Sequence, residues 1–371
     1  LENQAYQTDS LFVAKLYKYY GISLVVNKSY NKAVNVHRRA ISYVQKIRNP
    51  EALALLRDIY ANEAVLYGEM GFRYTQLQKM TEILPLNREL KDEMATYNMY
   101  YNFGLAYYAL SEYNKALENL YLARNYISDA SVKYFERGFT EILMAGVYVR
   151  LNKPDSVIKY IDLAGKTVNS SLVPVYKARY ATLRGICFLF QKQPEQALQF
   201  INQGAEIAAS INDPAEIQYA ILAKADYYAY TKNWGKSIAL LNDFLYKHPN
   251  KLGDVYKKDA LLKLSAAYES SGQHGKAIGS YKNLLKHTQD VEQSKLRNHL
   301  QELDFNFKFQ DKLIEIERLK TSNEKVMINT QRNHLLIAVL ITVLFFGLIA
   351  LFFIFKAQKR KKTVNEQMLR L

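Results

Sequence analysis

Tyr100 to Ala123 reads YYNFGLAYYALSEYNKALENLYLA, and its spacing decides the fold. Tyr100, Phe103, Gly104 and Tyr107 share one helical face; Tyr113, Ala116, Leu120 and Ala123 share another just beyond it. The pattern is an aromatic, a large apolar residue, a glycine and a tyrosine, then alanine, an apolar residue and alanine. It predicts a helix, a turn and a second helix that returns against the first. Gly104 belongs where the two helices meet, because only a small side chain lets their backbones approach closely.

The same register recurs on both sides. Upstream it appears as Tyr17, Tyr20, Gly21, Leu24, Tyr30, Ala33 and Ala40, and downstream as Ala181, Gly185, Phe188, Ala197, Ile201 and Gly204. The first small position of the second helix falls at Ala116, Val157, Ala197, Ser237 and Ala277, with spacings of 41, 40, 40 and 40. Prolines mark the register independently. Pro154 and Pro194 stand just inside second helices, and Pro174 and Pro214 open first helices, where a missing N–H costs nothing. The wider gap between Ala33 and Ala116 leaves room for one degenerate repeat over residues 50–85, ending at Pro85. Tyr107, Tyr148, Phe188, Tyr228 and Tyr268 recur in phase and are expected to fill the space between hairpins, so much of the content of 30 tyrosines is packing.

Residues 10–290 therefore resemble the tetratricopeptide-repeat (TPR) family. The resemblance implies an all-α fold: a right-handed superhelical TPR-like solenoid of about seven hairpins with a period of ~40, capped downstream by further helix. In that family the concave groove is lined by the first helix of each hairpin. Carried over by register, the groove residues are Asn98, Tyr101, Tyr108, Arg179, Thr182, Tyr219, Asp226, Asp259 and Glu269. Mixed charge and aromatic rings suit an extended protein or peptide partner; a bland solvated face is the alternative reading of the same positions. The expected domains are the repeats at 1–290, a connecting helix at 291–334, an apolar helix at 335–355 and a basic segment at 356–371.

Leu335 to Phe355 reads LLIAVLITVLFFGLIALFFIF, 21 residues without a charge. As a helix it is about 31 Å long, close to the ~30 Å hydrocarbon core of a bilayer, and predicts one transmembrane helix. Lys356, Lys359, Arg360, Lys361 and Lys362 follow it at once. By the positive-inside rule they place the C-terminus in the cytoplasm and residues 1–334 outside it. An exported N-terminal region without a leader in LENQAYQTDS is expected to have lost a signal peptide or to be a fragment. The polar pattern after residue 356 is expected to continue into something further. The rest of the +15 net charge is spread thinly, so no nucleic-acid groove is expected in this chain.

Residues 291–334 lose the repeat. Phe309, Ile316, Asn323 and Thr330 fall at one heptad core position, and Leu319 and Val326 at the other. A single core asparagine favours a parallel two-stranded register, so a homodimeric stalk through 305–333 is expected. A lone amphipathic helix folding back on the last repeat is the competing arrangement. Leu296, Leu300, Leu303 and Phe307 are expected to cap the solenoid's end.

This order is similar to that of bacterial envelope regulators: an exported TPR array, a coiled helix, one span, then a histidine-kinase module or a LuxR-type helix-turn-helix. That resemblance implies the periplasmic sensory and transmembrane part of a signal-transduction or transcription regulator in the inner membrane. Its solenoid would bind a protein, peptide or glycan-related cue. The alternative is a membrane-tethered scaffold of the cell envelope without cytoplasmic output. No catalytic, metal or cofactor constellation is present: the six histidines are scattered, and no HExxH, Walker loop, GxGxxG or GxSxG occurs. His37 and Cys187 read as core residues, and the chain as no enzyme in itself.

Overall fold

The computed structural model describes residues 2–126, 134–168, 173–247 and 252–368. Among them fourteen helices follow one another with no strand: α1 (Glu2–Val26), α2 (Tyr30–Val44), α3 (Pro50–Glu69), α4 (Arg73–Glu89), α5 (Glu93–Ala109), α6 (Tyr113–Asn125), α7 (Tyr134–Arg150), α8 (Pro154–Val168), α9 (Pro174–Phe190), α10 (Pro194–Ser210), α11 (Pro214–Tyr230), α12 (Trp234–Lys247), α13 (Asp254–Ser270) and α14 (His274–Met368). They pair as the seven hairpins the register predicts, and the fold is an all-α TPR-like solenoid with a long C-terminal helix. The chain divides into two compact units, Leu1–Leu300 and Gln301–Leu371.

Local chemistry fixes where each helix starts. Pro50, Pro154, Pro174, Pro194 and Pro214 are each the first helical residue. Asn49, Asp92 and Asp213 cap α3, α5 and α11 with side-chain oxygens that accept backbone N–H groups, each contributing about 1 kcal/mol.

The corner inside each hairpin follows the same register. Ser111, Asn152, Lys192, Lys232 and Gly272 take the positive φ angles of left-handed backbone: 64°, 52°, 60°, 56° and 76° respectively. Just beyond them the N–H groups of Glu112, Lys153, Gln193, Asn233 and Gln273 donate back to the carbonyls of Tyr107, Tyr148, Phe188, Tyr228 and Tyr268. This is the Schellman arrangement, which satisfies carbonyls a helix end would otherwise leave unpaired. The recurrent aromatics thus mark the last turn of every first helix from α5 onward. Only one of these corners carries glycine, so the turn is imposed by the packing on either side of it.

Packing between partner helices depends on small residues. A Cβ on Gly104 would lie 2.6 Å from Leu120, and one on Gly185 would lie 2.5 Å from Ile201 and 2.8 Å from the Ala197 carbonyl oxygen. Ala145 and Ala225 take the equivalent places in α7 and α11 and are buried. Leu120, Met144, Ile161, Leu183, Ile201, Leu241 and Leu264 are the large side chains sealed behind them. Each such side chain contributes about 1.5–3 kcal/mol by burial.

Two details differ from the sequence reading. Pro85 does not end a helix: it lies inside α4, which runs on to Glu89. Pro85 is close enough to the C-terminal end that Leu86 and Asn87 stay buried and hold the last turn. The stripe expected to cap the solenoid is left in solvent, with Leu296 and Leu300 59% and 56% exposed and Leu303 and Phe307 exposed as well. In the second unit Ile316, Leu319 and Val326 are exposed, and the side chains of Phe309, Leu313, Lys361 and Lys362 lie outside the described residues. Among the described residues one helix is long and apolar enough to cross a membrane by length and composition, and the window that qualifies is wholly unburied.

Candidate functional site

The first helices of the hairpins, α5, α7, α9, α11 and α13, present a run of tyrosines and charges to one another. Arg150 ends α7 and forms an ion pair with Asp259 on α13, although α9 and α11 intervene between them in the chain. Such a contact requires the first helices to curve around a shared interior. Arg150 Nε also donates to Tyr108 Oη of α5 at 3.3 Å. On α9, Arg179 donates through Nε and Nη2 to both carboxylate oxygens of Glu216 on α11, each at 2.7 Å, in a bidentate fork. Its guanidinium lies 4.1 Å from the centre of the Tyr219 ring.

Aromatic contacts continue the site toward α5. The hydroxyls of Tyr101 and Tyr176 are 3.4 Å apart, and Tyr176 stacks on Phe139 with ring centres 3.6 Å apart. Tyr97 Oη donates to the Glu136 carbonyl at 2.8 Å and lies 3.1 Å from Thr140 Oγ1. At the other end Lys263 of α13 pairs with Asp226 of α11.

Burial shapes the electrostatics. It drives the Tyr101 phenol far above its usual range, and the adjacent Tyr176 hydroxyl adds to the effect. Burial opposes the charge on Arg179, but hydrogen bonds and charge from Glu216 outweigh it and hold the guanidinium well above its ordinary value. Burial also raises Tyr219, with the charges of Arg179 and Arg150 pulling the other way. Tyr219 is 5% exposed, and its hydroxyl has no hydrogen-bond partner. A buried hydroxyl in that state costs about 1–3 kcal/mol. The site therefore offers two paired guanidinium groups, two carboxylates, a wall of phenols and one unsatisfied hydroxyl. It contains no nucleophile beside a base, and no His, Cys, Asp and Glu cluster suited to a metal occurs among the described residues.

Of the residues expected in a groove, Tyr101, Tyr108, Arg179, Tyr219 and Asp259 come together here, with Asp226 nearby on α11. Thr182 lies elsewhere: it is buried at the α9–α10 contact, beside Gly204, and donates to the Ala178 carbonyl. Asn98 is exposed, and exposed Glu269 accepts from Tyr281 at 3.3 Å. Arg150, Tyr176, Glu216 and Tyr256 belong to the interior and were not legible from register alone. Each lies on a first helix, and for Glu216 the available signal was charge complementarity with Arg179 on the preceding first helix.

His37 and Cys187 are core residues. His37 packs where Gly21 leaves room, and burial lowers its pKa to about 4. Cys187 is fully buried, and burial pushes its thiol up to about 12. A cleft of about 590 Å³ opens between α3, α4 and α5, lined by Val65, Met80, Met99 and Leu105 with Arg73 and Asn102.

No protein-family model matches the chain. Over 239 residues it is 26% identical to the transcriptional activator NprA of Geobacillus stearothermophilus, covering 62% of this chain and 53% of that protein. The chain thus spans about half the length of this curated relative. Among solved structures it is similar to apo RapI, with a TM-score of 0.59 at 12% identity over 76% of this chain and 99% of the other. It is also similar to a Rap protein complexed with competence and sporulation factor, with a TM-score of 0.55 at 13% identity over 77% and 80%. NprR in complex with its cognate peptide NprX gives a TM-score of 0.54 at 12% identity over 80% and 83%. At these identities the structures establish the TPR-like fold.

These relatives correct two expectations. By name they are a transcriptional activator, Rap proteins and a peptide-bound regulator, so the reading as the periplasmic sensory and transmembrane part of an envelope receptor is overturned. The localisation falls with it: placement in a bacterial inner membrane with a periplasmic N-terminal domain rested on one apolar helix and its basic flank, which is weak evidence of a span. The curated relative is by name a transcriptional activator, in line with the reading of the chain as no enzyme in itself.

Proposed function

We propose that the chain is a peptide-responsive regulatory protein of transcription control, and that the interior face of α5 to α13 takes an extended peptide. The observation that carries this reading is the buried Tyr219 hydroxyl, unpartnered and set beside Arg179 and Arg150. A phenylalanine would fill that place without the hydroxyl, which therefore calls for a partner that the chain itself does not supply. Peptide backbones supply N–H and C=O groups to tyrosine and arginine at such a surface, and side chains fill the gaps between rings. The names of the similar structures support a peptide, since NprR was solved with NprX and a Rap protein with competence and sporulation factor. The test is calorimetric titration of the purified chain with synthetic random hexapeptide pools, beside Tyr219→Phe. Heat from the wild type that the variant loses supports the reading, and no heat from any pool defeats it.

The same proposal includes a parallel homodimer through 305–333. Ile316, Leu319 and Val326 form an exposed apolar stripe there, which a second copy would cover. Sedimentation of the chain with Val326→Asp should show monomers where the wild type shows dimers; monomers in both would defeat it. The proposed division of labour keeps residues 1–290 for the ligand, 291–334 for association, and 335–355 as an apolar helix followed by a basic segment at 356–371.

A further inference from the structure

The second hairpin, α3 and α4, departs from the register of the others at its crossing. Five residues past the left-handed corner of each of the other six hairpins stand Ala33, Ala116, Val157, Ala197, Ser237 and Ala277. Five residues past Gly71, the corner between α3 and α4, stands Gln76. Two helices approach only as closely as the side chains at their contact permit. Gln76 therefore holds α4 further from α3 than alanine would, with its Nε2 2.9 Å from where a Cβ on Gly68 would lie. Beside it opens the cleft of about 590 Å³, within the ~300–1,000 Å³ usual for small-molecule sites. Val65, Leu77, Met80, Ile83, Met99 and Leu105 form its walls. Met80 and Ile83 are buried, whereas Val65 and Leu105 are 58% and 40% exposed at the rim. Arg73 is the one charged residue among those lining the cleft, and it is exposed, as is Asn102. It opens α4, donates from Nη1 to Gln76 Oε1 at 2.9 Å, and meets no acidic residue in that helix's first turn.

We propose that the cleft between α3, α4 and α5 binds a single-chain amphiphile, its aliphatic chain against Met80 and Met99 and its anionic head at Arg73. The inference is independent of the peptide site and uses none of its residues. Three features of the lining select this chemistry. None of the lining residues is aromatic, in a chain with 30 tyrosines, so the walls offer a planar ring nothing to stack on. Methionine and leucine adapt their own flexible chains to another flexible chain. The polar groups stand only at Arg73, Gln76 and Asn102, so the apolar depth has no partner for the N–H and C=O groups that a peptide would bring. At the mouth the guanidinium and the N-terminal end of α4 both favour negative charge, and no carboxylate lines the cleft to compete for it. An occupant of this shape touches α3, α4 and α5 together, and fills the gap that Gln76 leaves between the second and third hairpins. The anionic head is a carboxylate or a phosphate, and both meet Arg73 through the same charge-assisted hydrogen bonds.

The seven methionines of the full chain give a direct readout, because a methyl-labelled methionine contributes one NMR signal each. Met80 and Met99 line the cleft, Met144 is buried in α7, and Met327 belongs to the second unit. Decanoate and decyl phosphate are the anionic probes, decanol the neutral one and decylammonium the cationic one, all below micelle-forming concentrations. At least one anionic probe is expected to shift Met80 and Met99 saturably and leave Met144 in place, and the stronger of the two names the head. Decanol should bind about fivefold more weakly, the size of one exposed charge pair, and decylammonium more weakly still. Arg73→Gln should erase the difference between decanoate and decanol, and Arg73→Lys should keep part of it. Ala106→Leu places extra methyl groups in the cleft and should abolish the shifts from every probe, with an unmoved Met144 signal showing that the fold is kept. Equal affinity for anionic, neutral and cationic probes overturns the role of Arg73. Shifts at Met327 without shifts at Met80 and Met99 place the amphiphile on the second unit and overturn the cleft, as does the absence of any shift.

Discussion

Replacing Glu216 with leucine would leave the Arg179 guanidinium buried without its carboxylate. The Glu216 side chain is 8% exposed and that of Arg179 19%, and the two 2.7 Å bonds satisfy both carboxylate oxygens. Leucine has nearly the same volume, so little packing is lost and the cost is that of an uncompensated charge, about 3–5 kcal/mol. Arg179 cannot escape by deprotonation, so this cost should not change between pH 7 and pH 5. Arg179→Met strands Glu216 instead, and a carboxylate can take up a proton, so that variant should recover stability as pH falls. The double variant replaces an ion pair by apolar groups and should be near neutral, apart from up to about 2 kcal/mol of guanidinium–ring contact with Tyr219. The assay is urea unfolding followed by the fluorescence of Trp234, the single tryptophan, which opens α12 against α11. Coupling of the two sites would appear as a double variant far more stable than the sum of the single losses predicts. A loss below about 1 kcal/mol for Glu216→Leu, or simple additivity, would refute the view of the pair as a buried and mutually dependent unit.

Three further outcomes follow from buried groups and close contacts. His37 has a folded pKa of about 4 against 6.5 for the unconstrained group. The unfolded chain therefore binds the proton first, and the stability is fully present above pH 6.5 and lost as pH falls through 4, by about 3 kcal/mol in all. His37→Gln should flatten the pH dependence of unfolding across that window, and an unchanged slope would count against it. Gly185→Ala should destabilise by about 1–2 kcal/mol, because overpacking against Ile201 and the Ala197 carbonyl outweighs the gain of about 1 kcal/mol in helix propensity. Gly146→Ala meets nothing within 4 Å and should stabilise, so thermal melts of the two variants must move in opposite directions. Tyr219→Phe removes an unsatisfied hydroxyl and should stabilise the free chain by about 1–3 kcal/mol while it weakens peptide retention; a loss of stability would mean the hydroxyl is already served.

The hairpins were legible because their determinants are local. A proline at the first helical position and a small residue at the crossing each act within a few residues, and they repeat at 40 or 41 positions. The left-handed corners were less visible, since Ser111, Asn152, Lys192 and Lys232 carry no glycine signal and are held by the aromatic turn before them. Pro85 misled because a proline inside a helix is unfavourable by itself, and the burial of neighbouring Ile83, Leu86 and Asn87 overrides that preference. Thr182 shares its helix with Arg179 and lies three residues on. Three residues are about 300° of turn, a net offset of about 60°, so Thr182 sits on the neighbouring face of α9, the one packed on α10.

Arg150 shows why the site itself was harder to read than the scaffold. In the sequence it is the last residue of a helix, where a cation complements the dipole and normally ends in solvent. Its partner Asp259 is 109 residues away, on a helix that is not a neighbour in the repeat order. The pair exists only because small rotations between successive hairpins add up until α7 and α13 face each other. No single repeat contains that geometry, so no comparison of one repeat with the next could reveal it. Groups that meet through accumulated curvature are also those that separate first when the curvature changes.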